Sequence, residues 1–163
     1  MILKQNFKNH LKVSEFTLTI TVILVIGWWY FDFDYDYLKV VGIFHLINTI
    51  PALYLHLEYT IKNWNQTVVI TSYGIETIKD GVNKKYSKDE LQKIIVVKAA
   101  SLDKGGIRLT PIESYYYSRI MIKNGEEIII TCLISPDIED AIIQLNGVPF
   151  ERKKKLFCSI EPI

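Results

Sequence analysis

His45 and His56, with Asn48 between them, are the residues best suited by type to chemistry in an otherwise apolar part of this 163-residue chain. Eleven helical steps of 100° bring the two histidines to within about 20° of a common face. Polar side chains inside an apolar helix are candidates for proton or ion handling. Along the helix axis, however, the rings stand roughly 16 Å apart, too far to share one metal ion. The apolar block before them has no histidine to complete a haem site. The plainer alternative is a polar stripe that packs on a neighbouring helix or a partner subunit through hydrogen bonds.

Beyond Lys62 there is no histidine at all, so a Ser-His-Asp or Cys-His machine is excluded there. No glycine-rich phosphate loop occurs, and Lys104-Gly105-Gly106 reads as a turn. Cys132 and Cys158 lack the spacing of a zinc site. No catalytic, cofactor or metal site is therefore expected. Two other runs could bind something. Arg152-Lys153-Lys154-Lys155 reads as a flexible basic tail. Near a membrane, each such residue is worth about 1 kcal/mol against anionic lipid; otherwise the tail is simply solvated. In Tyr115-Tyr116-Tyr117, alternate strand residues face opposite ways, so at least one ring should be exposed. An exposed aromatic patch marks an interface.

The elements that must hold these residues fall into two unlike parts. The net charge of +1 argues against nucleic acid as a partner, and it conceals a segregated chain. The first 61 residues carry 4 Lys and 5 Asp/Glu; the remainder carries 15 Lys/Arg and 13 Asp/Glu. Phe16–Phe31 contains no charge, and Trp28, Trp29 and Tyr30 suit a headgroup interface. Leu38–Leu57 is about 30 Å of helix, interrupted by Pro51, which should kink it. Spanning a bilayer takes roughly 20 apolar residues. The spacing predicts two membrane helices, at about 14–31 and 38–57, within an anchor of residues 1–61. Two core helices of a soluble protein are the alternative, but Ile20–Trp29 shows no polar face. Nor does a small-residue cleavage site follow Phe31, as a signal peptide would require. Lys4, Lys8, Lys12 and Lys62 flank the pair, and Asp32, Asp34 and Asp36 lie between the two helices. Both termini are therefore expected on the cytoplasmic side, with both thiols reduced.

Residues 62–163 change to short β-rich runs broken by turn signals. Thr67–Thr71, Ile75–Lys79, Asn83–Tyr86, Ile94–Ala100, Ile107–Thr110, Tyr115–Lys123 and Glu127–Leu133 predict about seven antiparallel strands. Asp80-Gly81 and Asn124-Gly125 are the hairpin turns. Ser135 and Pro136 predict the start of a closing helix with Ile138, Ala141, Ile142 and Leu145 on one face, ended at Asn146-Gly147.

The fold class is thus α+β: a two-helix transmembrane hairpin, then a small antiparallel β barrel capped by a C-terminal helix. The strand–turn–strand TVVITSYGIETIKDG, the segment KKYSKDELQKIIVV with Tyr86 and Leu91, and the final helix together resemble the bacterial membrane-anchored pleckstrin-homology-like (PH-like) proteins. The resemblance covers about Asn65 to Gly147. It implies a non-catalytic binding or assembly module in the bacterial inner membrane, with the bilayer and protein subunits or a second copy as partners. It does not carry inositol-lipid binding with it. Ser72-Tyr73-Gly74, read as the first strand–strand loop, is followed by no basic residue before Lys79. The competing functions are a small transport or proton-handling component using His45, Asn48 and His56, and a lipid-surface sensor using Arg152–Lys155.

Overall fold

The computed structural model describes residues 1–32, 34–103 and 108–160. A short strand, β1 (Ile2–Lys4), comes first, followed by two long helices, α1 (Phe7–Tyr30) and α2 (Tyr35–Lys62). Strands β2 (Gln66–Thr71), β3 (Gly74–Lys79) and β4 (Val82–Ser87) follow. Next are β5 (Leu91–Lys98), a helical turn α3 (Ala100–Asp103), and strands β6 (Tyr117–Ile122) and β7 (Glu127–Thr131). The short helix α4 (Ile138–Ile142) and strand β8 (Phe150–Lys154) end the order. The strands form two four-stranded sheets, ordered β1-β2-β3-β4 and β7-β6-β5-β8.

Local sequence chemistry accounts for the helix ends and the tightest turns. Asn6 caps α1, its side-chain oxygen accepting from the Asn9 N–H at 2.9 Å. Asp34 caps α2 in the same way from the Asp36 N–H. At the β3–β4 turn both Asp80 and Gly81 have positive φ (50° and 81°), the pairing a two-residue hairpin requires. Helix α2 continues through Pro51, whose missing N–H removes one rung of the ladder.

The core explains the unbroken apolar runs. Ile94 and Val96 of β5, Ile120 of β6, and Ile128 and Ile130 of β7 share one cluster with Val68, Ile70 and Ile75 of the other sheet. The alternate residues Ile95, Val97, Tyr117 and Ile129 lie on the opposite face, in a second cluster with Val13 of α1 and Ala52, Leu55 and Tyr59 of α2. The β5–β6–β7 layer is therefore buried on both sides, which is why β5 and β7 carry the unbroken runs Ile94–Val97 and Ile128–Ile130. Glu126 joins the far edges: it pairs with Lys84 of β4 at 2.6 Å and accepts the Tyr86 hydroxyl.

Four expectations are corrected. Ile2–Lys4, placed with the anchor, is a strand of the first sheet, with Leu3 opposite Val68. A three-residue strand carries no legible period. Ser72-Tyr73-Gly74 therefore joins the second and third strands, and the first strand–strand connection is the helical hairpin itself. The closing helix is only Ile138–Ile142, with Asp137 rather than Ser135 at its cap, although Ile138, Ala141, Ile142 and Leu145 are all buried as the periodicity requires. It is not terminal: Arg152, Lys153 and Lys154, read as a tail, belong to β8, which runs parallel to β5. Arg108–Thr110 is not a strand; Ile107 and the Gly105-Gly106 turn lie outside the described residues.

Candidate functional site: the hairpin and its seat

Each helix is divided by its surroundings. The base of α1, up to Val13, and the end of α2, from Ala52, lie against the β5–β6–β7 sheet; Val13, Ala52, Leu55 and Tyr59 are at most 5% exposed. Polar groups lock this seat. Asn63, at the C-terminus of α2, accepts from the Thr131 N–H at 3.0 Å and donates to the Ile129 carbonyl at 2.9 Å. On the antiparallel ladder those two backbone groups point away from β6, so the Asn63 amide acts as one more strand residue on the β7 edge. Asn9 of α1 donates to the carbonyls of Leu133 and Ile134 at 3.1 and 2.8 Å. The Tyr59 hydroxyl donates to the Cys158 carbonyl at 2.6 Å, and Glu58 accepts from Ser159 and from the Ile160 N–H. The segment after β8 thereby straps α2 down. Lys12 pairs with Asp137 at 3.1 Å.

Beyond the seat the helices lie against each other and, at Phe16, Ile20 and Phe44, beside Leu109, Thr110 and Pro111. Ser14–Tyr30 and Tyr35–Pro51 each rise about 25 Å. Leu18, Val22, Ile26 and Trp29 of α1, and Val40, Phe44, Ile47 and Ile50 of α2, are 48–70% exposed. Both helices are long and apolar enough to cross a membrane. The Thr21 hydroxyl lies 3.0 Å from His45 Nε2 and joins the pair, and Thr49 lies on the same ring.

The candidate residues are distributed as follows. His45 belongs to the Thr21–Thr49 cluster in the free part of the hairpin. Asn48 donates to the Phe44 carbonyl, one turn back on its own helix. His56 lies in the seat, with Nε2 at 2.9 Å from His10 Nδ1 and Nδ1 at 3.1 Å from the Tyr115 hydroxyl. The three residues of the stripe therefore do not meet in one site, and His10 is a member the spacing did not reveal. A contact between histidines on two helices leaves no trace in the spacing of either.

The tyrosine run does not form an exposed patch. Tyr115 and Tyr117 are 2% and 3% exposed and meet Tyr59 edge-on, with ring centroids 5.8 and 6.1 Å away. Tyr116 is half-buried on the other face, its hydroxyl donating to the Pro136 carbonyl. The helix bases occupy the face that alternation had left to solvent. Burial pushes the Tyr115 phenol up to about 12 and raises that of Tyr116 further, so both rings are neutral hydrogen-bonding groups.

Arg152, Lys153 and Lys154 are exposed on β8, and Lys155 is half-buried. Arg152 pairs with Glu139 at 2.7 Å, and Lys98 reaches the other oxygen of that carboxylate at 2.6 Å. Burial works to raise the Glu139 carboxyl, but the two cations outweigh it and hold it below 4.5. Burial also pushes the thiols of Cys132 and Cys158 up to about 12 and about 11, which leaves both unreactive. No cluster of three or more His, Cys, Asp or Glu placed to hold a metal occurs among the described residues.

The arrangement defines a class: an α+β domain of two sheets carrying an apolar helical hairpin between its first two strands. The chain belongs to the PH domain family, whose pattern matches residues 3–139, from β1 into α4 and across both helices. Strand β8 lies beyond the matched part. Neither a curated protein nor a solved structure matches the chain.

Proposed function

We propose that this chain is an integral protein of the bacterial cytoplasmic membrane whose PH domain is a non-catalytic module for protein interaction or assembly. The observation that carries this reading is the exposed apolar surface of the hairpin above a sealed seat. Side chains such as Phe44 and Ile47 project outward, and hydrocarbon is the solvent in which that costs nothing. Lys4, Lys8, Lys12 and Lys62 at the base, against Asp32, Asp34 and Asp36 at the tip, favour both termini in the cytoplasm. The three tyrosines are used internally, so the partner surface moves to the edge of β4. Among the described residues that strand pairs with β3 alone, and Val82, Asn83, Lys84 and Lys85 are exposed along it. An open strand edge is a template for a partner strand. Purification from membranes in mild detergents tests the assembly role. Co-purification of a stoichiometric protein, or self-association, is expected, and Lys85→Pro, at a β4 position whose N–H points away from β3, should weaken it. Recovery as a lone monomer across several detergents would count against it.

A further inference from the structure

The stretch Leu109–Ser114, which leads into β6, lies beside the hairpin. Leu109 is 77% exposed and, with Thr110 and Pro111, closes a cavity of about 360 Å³ against Phe16, Ile20 and Phe44 of the helices. These helix residues are not part of the seat. On α1 the last charge is Glu15, and the charge-free stretch begins at Phe16. Leu24, which also lines the cavity, lies about 12 Å further along the axis. Leu109 therefore stands alongside the apolar part of the hairpin and not below it.

The length of the hairpin makes this placement consequential. Its free part rises about 25 Å, already short of the roughly 30 Å of hydrocarbon in a bilayer. Holding Leu109 in water would leave still less helix to reach the far interface. The stretch itself is built to hold its place. The buried Glu113 carboxylate accepts the Leu109 N–H at 2.6 Å and the Thr110 N–H at 3.4 Å. Pro111 opens the 3-10 turn Pro111–Ser114, which packs on both helices. Leu109 is thereby fixed with its side chain outward, and Arg108 beside it is half-buried among polar groups.

We propose that Leu109–Pro111 is a third membrane-embedded element, and that the cavity it closes against the hairpin holds a phospholipid acyl chain. The proposal rests on the anchor reading above. Its occupant follows from the walls: apart from His45, Asn48 and Thr110 the lining is apolar, and the cavity is continuous with the exposed surfaces of Phe44 and Leu109, so whatever solvates the hairpin fills it.

The test uses the full chain in phosphatidylcholine–phosphatidylglycerol nanodiscs with a bimane fluorophore on Leu109→Cys. Val22→Cys, at mid-hairpin, and Tyr73→Cys, at the end of β2 away from the hairpin, are the references. Quenching is read with nitroxide-bearing acyl chains and with aqueous iodide. L109C is expected to follow V22C: quenched at least twofold by the lipid nitroxide and shielded from iodide relative to Y73C. Iodide quenching of L109C equal to that of Y73C, with V22C still quenched by lipid, overturns the proposal and leaves the anchor reading standing. Shielding of L109C from both quenchers means that protein, such as a second copy, covers the site, and also overturns it. If V22C itself escapes the lipid quencher, the anchor reading fails and the proposal fails with it.

Discussion

Replacing Asn63 with Leu should separate the hairpin from the β7 edge, and its cost can be worked from the geometry. Asn63 is 1% exposed. Its amide satisfies the Thr131 N–H and the Ile129 carbonyl, and also donates to Gln66 Oε1 at 2.6 Å. Leucine has similar volume and no polar atom, so the substitution opens little space and orphans buried backbone groups. Each orphan costs about 1–3 kcal/mol. The Ile129 carbonyl keeps a weaker bond from Gln66 at 3.4 Å, which reduces its share. A net loss of about 3 kcal/mol follows from the sum. For a chain of this size that is about 6–12 °C in melting temperature. The melt can be followed in detergent by the emission of Trp64, next in sequence to the substitution. Hydrogen exchange supplies a sharper readout, because the Thr131 amide should lose its protection while the Ile130 amide, facing β6, keeps it. Asn48→Leu on the same helix is the control: Asn48 is half-buried and donates to the Phe44 carbonyl of its own helix, which has its place in the helical ladder without it, so the melt should not fall. A melting loss for N63L under 2 °C, or unchanged protection of Thr131, would refute the strand-edge role of Asn63.

Three further outcomes are expected. Gly74→Ala places a Cβ 2.1 Å from the Tyr86 carbonyl oxygen; backbone must move, so the β3–β4 pairing should loosen and the melting temperature fall by several degrees, as seen by circular dichroism. The Glu139 carboxyl is held low in the folded state, so its contribution is complete above its unfolded value and is lost as pH falls through the folded one. Glu139→Gln should accordingly flatten the acid limb of stability below about pH 4.5 in denaturant titrations; an unchanged acid limb would contradict the Lys98–Glu139–Arg152 pairing. Finally, Cys132 and Cys158 should resist maleimide at pH 7.5 in the folded protein and both react in denaturant, as counted by mass spectrometry.

How much of this was legible in the sequence depends on whether the signal was local. The hairpin helices follow from Phe16–Phe31 and Leu38–Leu57, and the turns from Asp80-Gly81 and Asn124-Gly125. The apolar face of α4 follows from its spacing, and the unbroken Ile94–Val97 run already implied burial on two faces. What covers the second face was not legible. That face is closed by Val13, Leu55 and Tyr59, which lie in the same helices as the anchor and look the same by composition. At least one ring of Tyr115–Tyr117 was consequently expected on the outside. Strand β8 was missed because its pairing with β5 is long-range and parallel, and Phe-Glu-Arg-Lys-Lys has no β period of its own. The division of the hairpin into seat and free part was equally hidden, although it decides that His56 and His45 belong to different clusters.

The central claim, a PH domain whose first strand–strand connection crosses the membrane, is tested most directly by sidedness. Asp34→Cys at the hairpin tip and Tyr73→Cys at the far end of the domain can be labelled in intact cells with an impermeant maleimide. The account predicts that D34C reacts from outside and that Y73C reacts only after lysis. Labelling of both from the same side would contradict it.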